Sequence, residues 1–418
     1  MSIVLSWIIG FLKIVVVLGT LITIHEGGHF LVAKLCKVRV NKFSIGFGPI
    51  LLRKQKGETE YTLRLLPFGG FCQMEGEEER SDDPNAFNNK TVWQRIAIVL
   101  AGPIVNIVFA LILYFFIASA ANVYVGTVVT SLSEGPLYEA GIRSGDRIVS
   151  VNGDGVMTQR EIENIVTKSK EDQFTFVVER QGEKISYPVV IPYEERGFLG
   201  VAFSDSGEVV YIYKNSPGAE AGLLVGDIMK KINDKAVSSA QDAVTEIRSN
   251  PNSKVTFEVE RSGEVISLSG ETKSSNERFF ALACNMITPG FWRGVPYALD
   301  ETAYYFSATI EGTFGILTGK NLDNVEVMGP VGIAGEITST KAWSDFFYLM
   351  SAISLSLGIF NLLPVPALDG GRIVILLIEA VRRKPMKEKV EQGLIMAGFA
   401  LIILLALFVT AGDLIKLF

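Results

Sequence analysis

The only two histidines of this 418-residue chain stand four residues apart, in His25-Glu26-Gly27-Gly28-His29. Residues at i and i+4 share one face of a helix, so both imidazoles can reach one metal ion, and a glutamate between them can hold and deprotonate a water beside it. Zinc is the expected metal, because it takes imidazole nitrogen and lowers the pKa of a bound water to about 7. A catalytic zinc has three protein ligands and one open position. There is no third histidine, and Cys36, Cys72 and Cys284 are too few and too scattered for a thiolate site or a disulfide framework. The missing ligand is therefore expected to be a carboxylate. Asp369 is the candidate, in Asn361-Leu-Leu-Pro-Val-Pro-Ala-Leu-Asp-Gly-Gly371. The same side chain could instead, or as well, cap a helix starting near Gly371.

These groups lie in apolar surroundings. Four stretches can span a bilayer: Ile3–Leu35, 96–123, 346–380 with an interruption, and 394–411. The first has neither a basic leader nor a small-residue cleavage site, so it is expected to remain in the mature protein. With Lys13 at one interface and Lys34 at the other, His25 and His29 fall inside the membrane on the Lys34 side. An intramembrane glutamate is expensive and is read as functional. Pro364 and Pro366 cannot sit in a helix interior, so the third stretch must open there. Unwound backbone at that depth needs protein or a watery cavity to satisfy it, as a metal site does. Eleven Lys and Arg residues between Lys34 and Arg95, with a second basic cluster at Arg382–Lys389, place both loops on the cytoplasmic side. The N-terminus and the long segment 123–345 then lie outside. A net charge of −6 argues against a nucleic-acid partner.

The outer segment repeats. Glu139-Ala-Gly-Ile-Arg-Ser-Gly-Asp146 returns as Glu220-Ala-Gly-Leu-Leu-Val-Gly-Asp227, Asn152 as Asn233, and Val178-Glu-Arg180 as Val259-Glu-Arg261. The offset is a constant 81 residues, longer than a solenoid unit and suited to a duplicated small domain. Each copy reads as short strands and one helix, and the glycine-rich turn resembles that of PDZ domains. Two tandem α+β PDZ-like domains are expected at 124–193 and 198–274. Gly197-Phe-Leu-Gly-Val201 resembles a carboxylate-binding loop, which the first copy lacks. The segment 291–340 carries Leu299, Ala303, Phe306, Ile310 and Phe314 at helical spacing. It is expected to lie at the outer interface as an amphipathic helix, or to pack on the repeat.

Together, His25–His29 on a first membrane helix, Asn361–Gly371 and Ala101-Gly-Pro-Ile-Val-Asn106 resemble the site-2 protease family of intramembrane zinc metalloproteases. Phe43-Ser-Ile-Gly-Phe-Gly-Pro49 and Pro67-Phe-Gly-Gly-Phe71 match that family's cytoplasmic loop. The resemblance implies zinc held by His25, His29 and Asp369, and Glu26 as general base and acid. It further implies that Asn361, Pro364 and Pro366 help to hold the substrate, and that a membrane-associated β-hairpin lies within 36–95. Glu60–Leu66 is a plausible edge strand there, able to pair with an unwound substrate. The implied fold is a polytopic α-helical membrane protein with four transmembrane helices, placed in a bacterial inner membrane and in contact with lipid. The implied partners are single-pass membrane proteins, such as an anti-sigma factor already trimmed outside the membrane, and leftover signal peptides. A catalytically silent PDZ scaffold is the competing reading, against which the complete His25, Glu26, His29 and Asp369 set stands.

Overall fold

The computed structural model describes residues 3–417 except 78, 122–123, 133–134, 205, 214–215, 279, 281, 319–328 and 387. The chain forms two compact units, one of Met1–Val123 with Thr288–Phe418 and one of Tyr124–Ile287.

The first unit begins with α1 (Ile3–Leu35), β1 (Val40–Lys56), β2 (Thr59–Met74) and α2 (Val92–Ala120). A capping box starts α2: Thr91 Oγ1 accepts from Gln94 N–H, while the Gln94 side chain accepts from Thr91 N–H. The two strands bend into four paired segments. Residues 42–45 pair with 60–63 on one side and with 70–73 on the other, and 52–56 pair with the far side of 59–63. Gly46 and Gly69 make the bends in left-handed backbone, at φ 85° and 100°. The segment Glu60–Leu66 is therefore interior over 60–63, not an edge as expected from the sequence, and the edges are 52–56 and the segment starting at Gly70. Arg64 ties the bends together, donating to Ser44 Oγ at 3.0 Å and to the Gly48 carbonyl at 3.0 Å. Phe47, Ile50, Leu51, Leu52, Leu65 and Leu66 are all exposed.

The second unit holds β3 (Tyr124–Ser131), α3 (Pro136–Glu139), β4 (Arg147–Val151), β5 (Asp154–Gly155), α4 (Gln159–Lys168), β6 (Gln173–Arg180), β7 (Glu183–Val190) and β8 (Tyr193–Phe198). The second copy follows as β9 (Val201–Phe203), β10 (Val209–Ile212), α5 (Pro217–Glu220), β11 (Ile228–Ile232), β12 (Lys235–Ala236), α6 (Ala240–Arg248), β13 (Lys254–Arg261) and β14 (Glu264–Glu271). The strands β15 (Lys273–Arg278) and β16 (Ala283–Ile287) close the unit. The repeated residues do the same work twice. Arg180 binds Asp146 at 2.6 Å and the Gly141 carbonyl at 2.9 Å; Arg261 binds Asp227 at 2.7 Å and the Gly222 carbonyl at 2.9 Å. Asn152 and Asn233 both take φ 53° and accept from the backbone N–H of Thr175 and Thr256. Each copy encloses its own core, Ile148, Ile162, Phe174 and Phe176 in the first and Met229, Ala243, Val255 and Phe257 in the second.

The copies differ at one edge. The chain returns after the second copy so that β16 pairs antiparallel with β3, in the sheet β16-β3-β4-β6-β7. In the second copy the corresponding strand is β9, on β10. The first copy thus draws on residues well beyond the boundary at 193 that its sequence suggests. Gln159 fastens the returning strand, accepting from Cys284 N–H at 3.0 Å and donating to the Leu282 carbonyl at 3.1 Å.

The chain re-enters the first unit through α7 (Phe291–Thr318), α8 (Pro330–Ser339), α9 (Trp343–Asn361), α10 (Asp369–Arg382) and α11 (Glu388–Leu417). Among the described residues, four helices are long and apolar enough to cross a membrane: Ile8–Leu35, Val92–Ala120, Trp343–Asn361 and Lys389–Ala411. The third apolar stretch, 346–380, is thus two helices, and α9 alone is the candidate span. In α10, Glu379 is buried and pairs with Arg95 at 3.0 Å, and Arg372 pairs with Glu77. The segment 291–340 also divides in two, with 319–328 outside the described residues. Ala298 of α7 is buried in a cluster with Ala110 and Tyr114 of α2, while Ile337 of α8 is buried with Val17 and Leu21 of α1. Lys13 is tied to the end of α8, donating to the Thr340 carbonyl at 2.5 Å.

Candidate zinc centre

Two glycines bring α1 and α2 together. A Cβ on Gly28 would lie 2.6 Å from the Ala101 carbonyl oxygen, and one on Gly102 would lie 2.4 Å from His29 Nε2. A larger residue at Gly28 would force the helices apart, and one at Gly102 would push the imidazoles aside. This close approach sets both imidazoles against α2, on the face opposite their own helix backbone.

Asp369 arrives from the other end of the chain. After α9 the helix is interrupted over 362–368, with Val365 N–H donating to the Leu363 carbonyl and Leu368 N–H to the Val365 carbonyl. Ala367 takes φ 83°, a strained value for a residue with a Cβ. Gly370 and Gly371 let the first turn of α10 press on that interruption, where a Cβ would meet the Leu363 and Val365 carbonyls at 2.2 and 2.3 Å. The helix starts at Asp369 itself, with Leu368 at the N-cap and no side-chain cap bond, so the capping alternative for Asp369 is not realised.

The three groups form a triangle. His25 Nε2 and His29 Nε2 are 3.2 Å apart, and Asp369 Oδ2 lies 3.1 Å from the first and 3.4 Å from the second. Ligands about 2.0–2.1 Å from a tetrahedral zinc are separated by roughly 3.3 Å, so these spacings are those of three zinc ligands. Asp369 Oδ2 is also a buried oxygen without a hydrogen-bond partner, as a metal ligand would be. The residues present therefore fit the ion. Behind the triangle, His29 Nδ1 lies 2.9 Å from the Ile98 carbonyl, which holds the proton on Nδ1 and turns Nε2 inward.

Glu26 sits beside the same three groups and against β2, where the Cys72 backbone contacts its carboxyl. A Cβ on Gly70 would come within 3.5 Å of Glu26 Cγ. The edge segment of the small sheet thus lies directly on the glutamate. Asn361, the last residue of α9, donates to the Leu357 carbonyl at 2.9 Å, and Pro364 and Pro366 lie in the non-helical segment that precedes Asp369. Sequence reasoning quoted Gly102 and Gly70 within motifs and Cys72 as a cysteine, but placed none of the three at the site. The available signal was a glycine and an asparagine in an otherwise apolar 29-residue helix.

A helical membrane bundle that gathers His-Glu-x-x-His and an aspartate inside its apolar part defines an intramembrane metalloprotease, and this chain belongs to peptidase family M50, which matches residues 13–405. Enzymes of this family are zinc-dependent. The chain is similar to the regulator of sigma-E protease RseP of Salmonella typhimurium (strain 14028s), 32% identical over 434 residues that cover 94% of this chain and 95% of that one. Its similarity to RseP of Escherichia coli K12 is 31% over 444 residues, covering 96% and 97%. To protease RseP of Yersinia pestis it is 32% over 439 residues, covering 94% and 95%. The protein is a site-2 intramembrane zinc protease.

Proposed function

We propose that His25, His29 and Asp369 hold the zinc, and that Glu26 takes a proton from the attacking water and passes it to the leaving amine. The observation that carries this reading is the 3.1–3.4 Å triangle of inward-facing ligand atoms. Zinc, when bound, supplies a Lewis acid toward the scissile carbonyl and makes water easier to deprotonate. Glu26 next to the ligands is placed for both proton transfers. A peptide bond inside a helix is shielded by its own hydrogen bonds, so the substrate must unwind. The segment beginning at Gly70 offers an edge for it to pair with, against Glu26. Asn361, Pro364 and Pro366 would hold the same stretch of substrate from the other side. The exposed apolar residues from Phe47 to Leu66 suit a β-hairpin dipping into lipid.

The substrates are single-pass membrane proteins. Since the relatives carry sigma-E regulation in their names, an anti-sigma factor shortened by an earlier cut is the first candidate, with signal-peptide remnants second. In this reading the protein resides in a bacterial inner membrane with the loops 36–95 and 382–389 cytoplasmic. The N-terminus and the two PDZ-like copies, in unit Tyr124–Ile287, are periplasmic. The copies act on substrate either as a filter against bulky outer domains or by capturing a newly made C-terminus. Capture is favoured for the second copy by Gly197–Val201, which resembles a carboxylate-binding loop and has Gly200 in left-handed backbone at φ 69°.

The test is to express wild type and Glu26→Gln with candidate single-pass proteins. Shortened products should appear with wild type and fall about 10²–10⁴-fold in the variant, with zinc retained. Undiminished cleavage by Glu26→Gln would remove Glu26 from the mechanism.

A further inference from the structure

Asn106 of α2 is completely buried, and its carboxamide nitrogen lies 3.3 Å from His25 Nδ1. Its Oδ1 is a buried atom with no hydrogen-bond partner. The two ends of a carboxamide are nearly the same shape, and the hydrogen-bond network decides which way it faces. With nitrogen toward the ring, Asn106 donates to Nδ1 and the proton of His25 sits on Nε2, pointing at Asp369. A metal-binding Nε2 must be bare, which moves the proton to Nδ1, where it needs an acceptor. Turning the amide over supplies one in Oδ1.

The residue is fixed for this task from behind. Its backbone carbonyl accepts from Ser354 Oγ at 2.8 Å, and Ser354 is itself completely buried in α9. Gly358, one turn on, admits α9 so closely that a Cβ there would lie 2.8 Å from the Pro103 carbonyl and 3.5 Å from Asn106 Cβ. Asn106 is therefore clamped between α1 and α9, with its one polar end on His25.

We infer that Asn106 is a positioning residue of the zinc site: its Oδ1 accepts the Nδ1 proton of His25 and so presents Nε2 to the metal. The Ile98 carbonyl does the same for His29 from the main chain, so His25 alone depends on a side chain for its orientation. The inference rests on the proposed ligand set, and the experiment separates the two.

Zinc dissociation constants of the purified full chain are measured by chelator competition for wild type, Asn106→Leu, Asn106→Ala, Asn106→Asp and His25→Ala. Loss of an outer partner of a ligand histidine weakens binding about 10–100-fold. That loss is expected for Asn106→Leu and for Asn106→Ala, which cannot crowd the helix contact. Asn106→Asp keeps an acceptor and should restore binding to within about threefold of wild type. The visible spectrum of the cobalt-loaded protein should shift in Asn106→Leu and Asn106→Ala and return in Asn106→Asp, which a purely structural role would not produce. Wild-type affinity and an unshifted spectrum in Asn106→Ala, with His25→Ala defective, would overturn the role of Asn106. Wild-type affinity in His25→Ala would instead overturn the ligand assignment beneath it.

Discussion

Gly102 passes His29 so closely that any side chain on it would occupy the position of the imidazole, its Cβ 2.4 Å from Nε2 and 2.9 Å from Cε1 of His25. The obstacle is a pair of rings facing α2, which a methyl group there would push from their positions. Gly102→Ala should displace the histidines by about an ångström, a shift that costs on the order of 100-fold in rate. Cleavage of a membrane substrate and zinc per chain should fall together, and full activity in Gly102→Ala would refute the packing described.

Asp369→Asn addresses the third ligand. An amide is a weaker zinc ligand than a carboxylate, and nothing else in the described structure replaces it. Zinc affinity should fall at least about tenfold, with proteolysis falling in step. Full occupancy at low free zinc would leave Asp369 with a structural role only.

The duplicated ion pairs give the outer unit an acid sensitivity. Burial pushes the carboxyls of Asp146 and Asp227 up, but Arg180 and Arg261, with the backbone N–H groups of Arg143 and Leu224, more than offset it and hold both below the usual range. A carboxyl depressed on folding contributes stability above its unfolded pKa of about 4 and loses it as pH falls through the folded value. Melting of a fragment covering Tyr124–Ile287, followed by circular dichroism, should show a lower midpoint at pH 3 than at pH 6. Asp227→Asn should melt roughly 5–10 °C lower at pH 6 and lose less on acidification. Equal acid sensitivity in the variant would show that other groups govern it.

Replacing the whole of Tyr124–Ile287 by a flexible linker tests what the outer unit does. The cut must extend to Ile287 because β16 belongs to the first copy. If the unit excludes bulky substrates, the deletion should cleave an untrimmed substrate that wild type leaves intact, and cut the trimmed form at a similar rate. If it captures a new C-terminus, the trimmed form should be cut more slowly and the untrimmed one should stay resistant.

What could be read from the sequence was what is local. His25 and His29 are one helical turn apart, so their shared face follows from spacing alone. Asp369 is 344 residues away and could be singled out only because two prolines interrupt an apolar run. The four apolar stretches were legible from composition and the break in 346–380 from Pro364 and Pro366, whereas the pairing of Arg372 and Glu379 with Glu77 and Arg95 on distant segments was not. Gly102 and Asn106 owe their importance to another helix passing within van der Waals contact, which no period in the sequence records. The exchange of Glu60–Leu66 for the segment at Gly70 as sheet edge has the same origin. Glycine bends at Gly46 and Gly69 decide which segments meet, and strand propensity does not see them.

The return of β16 to β3 has a consequence in time. The strands from β3 to β7 are all made by Val190, yet the first copy has no edge partner for β3 until Ile287 has left the ribosome. At 5–20 residues per second, the intervening 97 residues take roughly 5–20 s to synthesise. The second copy's last strand ends at Glu271, so the half made later can complete its sheet first. During translation the earlier half must wait with an open strand edge, and a ribosome paused between Val190 and Ile287 would prolong its exposure to aggregation.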